Sequence, residues 1–273
     1  FSPTTATGGD MGSHNYISYY LKNYLLPQGN ILGWTNDWYA GMPLLQFYFP
    51  LPYILIAFLS YVIPIQIAFK LITVLGVFSL PICVYFFVRW IGFKFPMPII
   101  AAIFMLPFLF LEHYLIWGGN ILSTLAGQFS HSISISISIL FLGLLYSGIK
   151  NKKHMVANSI LFSIIILRHI FTTIFALFCS LFFLFGKDRK QALNNLIYIF
   201  KVYFLAFLLT AFWTLPFIFK LDFASKLGWV PIKSLRLLYP NAVIPFLILS
   251  LISILFYFKN KENKVLYIFF PII

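Results

Sequence analysis

Acidic side chains are almost missing from this chain: 6 of its 273 residues are Asp or Glu, and charged residues of both signs reach only 9%. Soluble globular domains carry about 25% charged residues. A deficit of that size, beside 61% hydrophobic residues, excludes a soluble fold and points to an integral membrane protein. Cysteine is equally scarce. Cys83 and Cys179 lie in separate apolar runs, which excludes a disulfide framework and zinc-type spacing and leaves them as small core residues. No internal repeat is visible. The chain starts at Phe1 with neither an initiator Met nor a signal peptide and ends inside the apolar run FPII, so it reads as a fragment at both ends.

What is plentiful fits the same class. The 34 Phe and 16 Tyr suit lipid-facing helices and interfacial belts. The net charge of +13 would also suit a nucleic-acid binder, but the lysines stand in short clusters between apolar runs. That is the pattern of cytoplasmic loops, and no nucleic-acid partner is expected.

A spanning helix needs roughly 20 apolar residues. On that length, spans fall near 67–91, 97–112, 131–149, 155–168, 170–186, 196–219 and 241–258, and a truncated eighth begins near 265. The segment SISISISI, Ser132 to Ile139, alternates like a strand, but a lone strand would leave its backbone unpaired in lipid. It is expected to be helical, with serines bonding back to the carbonyl four residues earlier.

Four basic clusters fall in alternate loops: Arg89 with Lys94, KNKK at 150–153, KDRK at 187–190, and Lys259, Lys261 and Lys264. All four can share one side, which should be cytoplasmic. With Lys201, near a cytoplasmic helix end, counted on that side as well, seven basic residues remain outside that set: Lys22, Lys70, Arg168, Lys220, Lys226, Lys233 and Arg236. Residues 1–66, 112–130, the turn at Arg168–His169 and the loop 220–240 then face outward. The outer face gathers Asp10, His14, Asp37, Glu112, His113, His131, Arg168, His169 and Asp222, and scarce ionisable groups at one membrane face suggest a site there.

The first loop supplies the richest candidates. TGGDMGSHNY, Thr7 to Tyr16, sets Asp10 among Gly8, Gly9 and Gly12, which can take up positive φ or let a ligand approach closely. Residues 16–26 read as a short amphipathic helix and PQGNILGW as a turn. Prolines 43, 50 and 52 then break up an aromatic-rich segment. Residues 51–63 are too short to span and read as an interfacial helix, with Trp38, Tyr39, Phe47 and Tyr48 at headgroup depth.

Each candidate has a plain reading beside the functional one. Asp10 is a general base or cation ligand, or the N-cap of a helix over 14–26. His14, one helical turn on, orients Asp10 or is merely solvated. Glu112 is a second carboxylate near Asp10, or pairs with Arg168 across the bundle. His169 is a catalytic group, or a satisfied structural histidine at a turn. His131 reads as a helix-end polar group. Asn120, Ser123, Thr124 and Gln128, among Gly118, Gly119 and Gly127, line a sugar cavity or form a re-entrant turn with internal hydrogen bonds. Asp37 binds a sugar beside Trp38, itself an interfacial anchor. Lys226, Lys233 and Arg236 hold a lipid-linked phosphate, or attract anionic lipid in general.

The motifs GGDMGSH, GWTNDWYAGMPLLQFYFPLPY, WGGNILSTLAGQFSHS, LRHIFTTIF and FWTLPF resemble the 6-pyruvoyl-tetrahydropterin synthase-related (PTPS-related) membrane proteins. That family is similar to the GT-C glycosyltransferases, the class that includes the oligosaccharyltransferase catalytic subunit. The resemblance covers nearly the whole chain, and its first-loop motifs are the more specific. No zinc-ligand spacing supports the pterin chemistry in the family's label. The resemblance implies an all-α, polytopic transmembrane helix bundle of GT-C type. Residues 1–66 would form an extracytoplasmic loop with juxtamembrane helices, and 67–273 the bundle.

It also implies a cell-membrane glycosyltransferase that uses a polyprenyl-phosphate sugar donor at the outer face. Asp10 stands where the first-loop acid of that class stands. A divalent cation, Mg or Mn, would be held in part by Asp10. Many GT-C enzymes carry an Asp-x-Asp-like motif in the second loop; this chain has Glu112 and no further acid through Gln128, which weakens a two-carboxylate metal site. The rival is a non-catalytic transporter or a lipid or glycan export component, which would place its charges near the bilayer midplane.

Overall fold

The computed structural model describes residues 2–112, 118–184 and 189–224, together with 241, 244–245, 247–249 and 251–252. The expected span over 241–258 lies mostly outside the described residues, and the truncated one near 265 wholly so. The described chain is mostly helical, with one small hairpin.

The first loop folds as its own layer. α1 (Met11–Tyr20) continues through a π turn and a 3-10 turn to Gln28, earlier than the helix expected over 16–26. A two-stranded antiparallel hairpin follows, β1 (Gly33–Thr35) on β2 (Met42–Leu44), with Trp34 opposite Pro43. The short helix α2 (Leu51–Leu59) matches the expected interfacial segment. Met11, Ile17, Leu21, Leu44, Tyr53 and Ile56 pack beneath this layer against Phe69, Phe129 and Ile133.

Among the described residues three helices are long and apolar enough to cross a membrane: α3 (Ile65–Ile91), α7 (Phe129–Asn151) with the turns at 121–128 that precede it, and α10 (Arg189–Phe219). α3 ends on Gly92 in the left-handed conformation, the usual glycine stop. α3 and α7 run parallel and very close, because a Cβ at Gly76 would lie 2.5 Å from the Ile133 nitrogen. The alternating serines are helical and wholly buried at 134, 136 and 138. Ser136 Oγ donates to the Ser132 carbonyl four residues back and also to the Gly76 carbonyl of α3.

The other expected spans are corrected. Residues 97–112 form two pieces, α4 (Met97–Ile103) and α5 (Met105–Leu109), and residues 121–123 form α6 (Ile121–Ser123). Residues 155–184 form a hairpin of two short helices, α8 (Met155–Ile166) and α9 (Ile170–Leu181), the second continued by a 3-10 turn to Leu184. At about 1.5 Å per α-helical and about 2.0 Å per 3-10 residue the described arms are about 18 and about 24 Å, short of a bilayer core of about 30 Å. Its contacts fix its direction along α7. Asn158 donates to the Leu144 carbonyl near the base, while Ser130 Oγ donates to the Arg168 carbonyl at the tip, 2.6 Å away. Going back down, Thr172 bonds Ser134 and Phe183 meets Tyr146.

One end of the bundle therefore holds the first loop, the hairpin tip and the end of α10, where Trp213 Nε1 donates to the Leu45 carbonyl. The opposite end holds Arg89 in the last turn of α3 and Lys150 in the last turn of α7. The start of α10 joins them there, through Tyr198 and the Lys153 carbonyl. The described residues of three of the four basic clusters thus share one end of the molecule; Lys259, Lys261 and Lys264 lie outside the described residues.

Candidate functional site

Asp10 sits at the N-terminus of α1, exposed, and its carboxylate makes no hydrogen bond to the helix. The capping alternative is set aside on that geometry. Its backbone is pinned instead: Asp10 N donates to the Ala126 carbonyl at 2.9 Å. Gly9, at φ +50°, allows this approach, since a Cβ there would lie 2.0 Å from the same oxygen. Gly12 plays no such part; it is helical and nothing lies within 4 Å of its missing Cβ. A cavity of about 220 Å³ opens beside the turn, lined by Ala6, Thr7, Met11, Lys70, Thr73, Val74 and Leu125.

His14 is buried, not solvated, at 5% exposure. Its Nδ1 lies 2.6 Å from the Tyr53 hydroxyl, and the ring also bonds the Gly127 backbone. Burial lowers the His14 pKa, against an opposing pull from Asp10. A neutral His14 therefore ties α1 to both α2 and the second loop. Phe129 meets its ring edge-on at 5.2 Å.

A second group lies at the hairpin tip. Arg168 is 1% exposed, and His169 beside it stacks on His131 with ring centroids 4.3 Å apart. The two groups are joined by a run of rings: His14, Tyr48, Phe49 and His169, each 5.5 to 5.9 Å from the next. The segment 45–53 therefore bridges them, held by Leu51 N donating to the Leu167 carbonyl. Tyr53, Tyr48 and Gln46 were not candidates in the sequence, because they sit inside an apolar, proline-broken run whose partners are distant.

The remaining candidates divide. Asp37 accepts from the Tyr16 hydroxyl at 2.5 Å and stays in the hairpin layer, apart from Asp10's bonds. Asn120 anchors the second loop: its Oδ1 takes the Ser123 backbone and hydroxyl, and its Nδ2 donates to the Leu111 carbonyl at 2.6 Å. Thr124 donates to the Asn120 carbonyl as well, so the second loop is a turn with internal hydrogen bonds. Glu112 is exposed and pairs with neither Asp10 nor Arg168. His113, Lys226, Lys233 and Arg236 lie outside the described residues.

The donor set for a divalent cation is thin. Among the described residues no three of His, Cys, Asp and Glu gather as ligands, and both nitrogens of His14 are engaged. Asp10 alone does not build a metal centre, and no step is derived through one.

Both histidines are held neutral, which makes stability depend on pH. Burial, reinforced by His131, pushes His169 down to about 3. The unfolded chain then binds more protons than the fold wherever pH lies below the ordinary histidine value of about 6.5. Stability is full above that value and falls as pH drops. At pH 5, His169 alone should cost about 2 kcal/mol. Melting temperatures at pH 7.5 and pH 5 check this, and His169→Gln should flatten the difference; an equal fall in that variant would remove His169 as the cause.

No curated protein and no solved structure matches the chain. A family model described as 6-pyruvoyl-tetrahydropterin synthase related domain, membrane protein, matches residues 45–232, which takes in the segment 45–53, the second loop and the hairpin tip, and begins after Asp10. The chain belongs to that family of membrane proteins.

Proposed function

We propose that this protein is a membrane glycosyltransferase of GT-C type that moves a sugar from a polyprenyl-phosphate donor to an acceptor at the extracytoplasmic face. The observation that carries the reading is Asp10: an exposed carboxylate without hydrogen bonds, on a glycine turn pinned to a second loop, with a cavity beside it. In the reaction Asp10 takes the proton of the acceptor hydroxyl. The acceptor oxygen bonds the sugar's anomeric carbon, the bond from that carbon to phosphate oxygen breaks, and the phosphate leaves with the electron pair. Neutral His14 does not exchange the proton; it positions the turn.

The distribution of charge favours an enzyme over a transporter. Among the described residues, no acid lies within α3, α7 or α10. A midplane ion pathway usually shows such groups. Incubating the full chain in membranes with labelled polyprenyl-phosphate sugars tests the reading. Label should pass to an acceptor; a panel of donors that yields none, with folded protein, would reject it.

Sidedness follows from the basic clusters, and the segregation of Lys150 from the first loop supports it. A cysteine placed at position 150 should react with an impermeant reagent only in opened cells, and one at 36 in intact cells. Labelling of position 150 from outside would reverse the orientation and move the site to the cytoplasm. Lys187, expected beside it, lies outside the described residues.

A further inference from the structure

Three buried polar side chains at one junction have no hydrogen-bond partner among the described residues: Arg168 at Nε and Nη2, His169 at Nδ1 and Gln46 at Nε2. The junction is built by the hairpin tip and the segment 45–51. Leu51 N bonds the Leu167 carbonyl, the Phe49 ring lies 5.5 Å from His169, and Trp213 holds the Leu45 carbonyl. Orphaned buried donors are rare, because each costs the full desolvation of its group. Three at one place, including a guanidinium 1% exposed, mark a site from which a partner is missing.

The chemistry of that partner can be read from the donors. Arginine stays charged; burial lowers its pKa to about 9, still above neutral pH. None of the described acids pairs with it: Asp10, Glu112 and Asp222 are exposed, and Asp37 is taken by Tyr16. A water molecule would satisfy an N–H but not the charge. Nε and Nη2 form the side-on edge of the guanidinium, two parallel N–H vectors spaced for two oxygens of one oxoanion. Gln46 Nε2 is a donor only, and neutral His169 can donate from Nδ1. Nothing acidic stands among them to repel an anion.

We propose that Arg168, with Gln46 and His169, holds the phosphate oxoanion of a lipid-linked phosphate at the junction of the hairpin tip and the first loop. The identity of the lipid rests on the transferase reading above; the oxoanion site does not.

Binding to the full chain, purified in lipid nanodiscs, tests the site, with farnesyl phosphate as the probe and farnesol as the same chain without phosphate. Wild type should bind farnesyl phosphate saturably and farnesol weakly. Arg168→Lys keeps the charge but loses the fork, and should weaken binding at least about tenfold. Arg168→Met should abolish it, and Gln46→Ala should weaken it several-fold. Wild-type affinity in both Arg168 variants, or farnesol binding as tightly as farnesyl phosphate, would overturn the proposal. Where Arg168→Met does not fold, Arg168→Lys and Gln46→Ala carry the test. Inorganic phosphate competing at equal concentration would identify free phosphate as the occupant; competition only by lipid phosphates would identify the headgroup. Binding that persists without any sugar transfer sinks the transferase and keeps the site, whereas transfer with unaltered binding in the variants does the reverse.

Discussion

Asp10→Asn should lower sugar transfer by about 10²- to 10⁴-fold, the usual contribution of a general base. The same variant should melt within a degree or two of wild type, because exposed positions without partners change stability by roughly 0.5 kcal/mol or less. The two expectations come from one observation: the carboxylate is exposed and accepts no hydrogen bond, so the fold does not use it. Asparagine keeps the shape and removes the base. Turnover measured with labelled donor, beside the melting curve, decides the matter. Near-normal turnover would reduce Asp10 to a backbone position, and a large fall in melting temperature would mean that its charge supports the structure.

Gly9→Ala should damage both stability and activity although it adds one methyl group. The residue sits at φ +50°, and the new carbon would lie 2.0 Å from the Ala126 carbonyl oxygen and 2.8 Å from its carbon. Those are backbone atoms and cannot swing aside. Forced overpacking of this kind costs about 1–3 kcal/mol, and relieving it breaks the bond from Asp10 N to the Ala126 carbonyl. Asp10 would then leave its place beside the second loop, so transfer should fall about 10- to 100-fold, as misplacement of a reacting group by about 1 Å does. Gly12→Ala is the control: that position is helical and open, so alanine should be neutral or stabilise by up to about 1 kcal/mol. Equal behaviour of the two variants would show that the close approach of Gly9 has no role.

The long helices were legible because a bilayer leaves the backbone few choices. SISISISI alternates like a strand, yet lipid admits only a helix there, and the buried serines bond back as that requires. The hairpin of α8 and α9 was legible as two helices about a turn at Arg168–His169, but not as arms too short to span. LRHI carries no glycine or proline, and both flanks are apolar, so each arm reads as a span. What ends the arms early is tertiary: Ser130, Ser134 and Tyr146 of α7 set where the tip and base lie. The site was half legible for a related reason. Asp10 announces itself as a lone acid among glycines, but the burial of His14 depends on Tyr53, 39 residues away, and on a turn in another loop. Gln46 gave no signal, since one amide in an aromatic run has meaning only once Arg168 is beside its segment.

The shortness of that hairpin also bears on the lipid around it. α9 turns Phe171, Ile174, Phe178 and Leu181 away from the described bundle, an apolar stripe on a helix of 12 residues. Compared with α3, about 40 Å long by its 27 residues, this arm with its 3-10 turn to Leu184 is a wall of about 24 Å, a case of hydrophobic mismatch. A bilayer meets a short apolar wall by thinning, which draws headgroups inward on that flank. On the proposal made above, the tip that carries Arg168 is where such a dimple would bring a lipid phosphate, the membrane bending toward the buried guanidinium rather than the lipid leaving its leaflet.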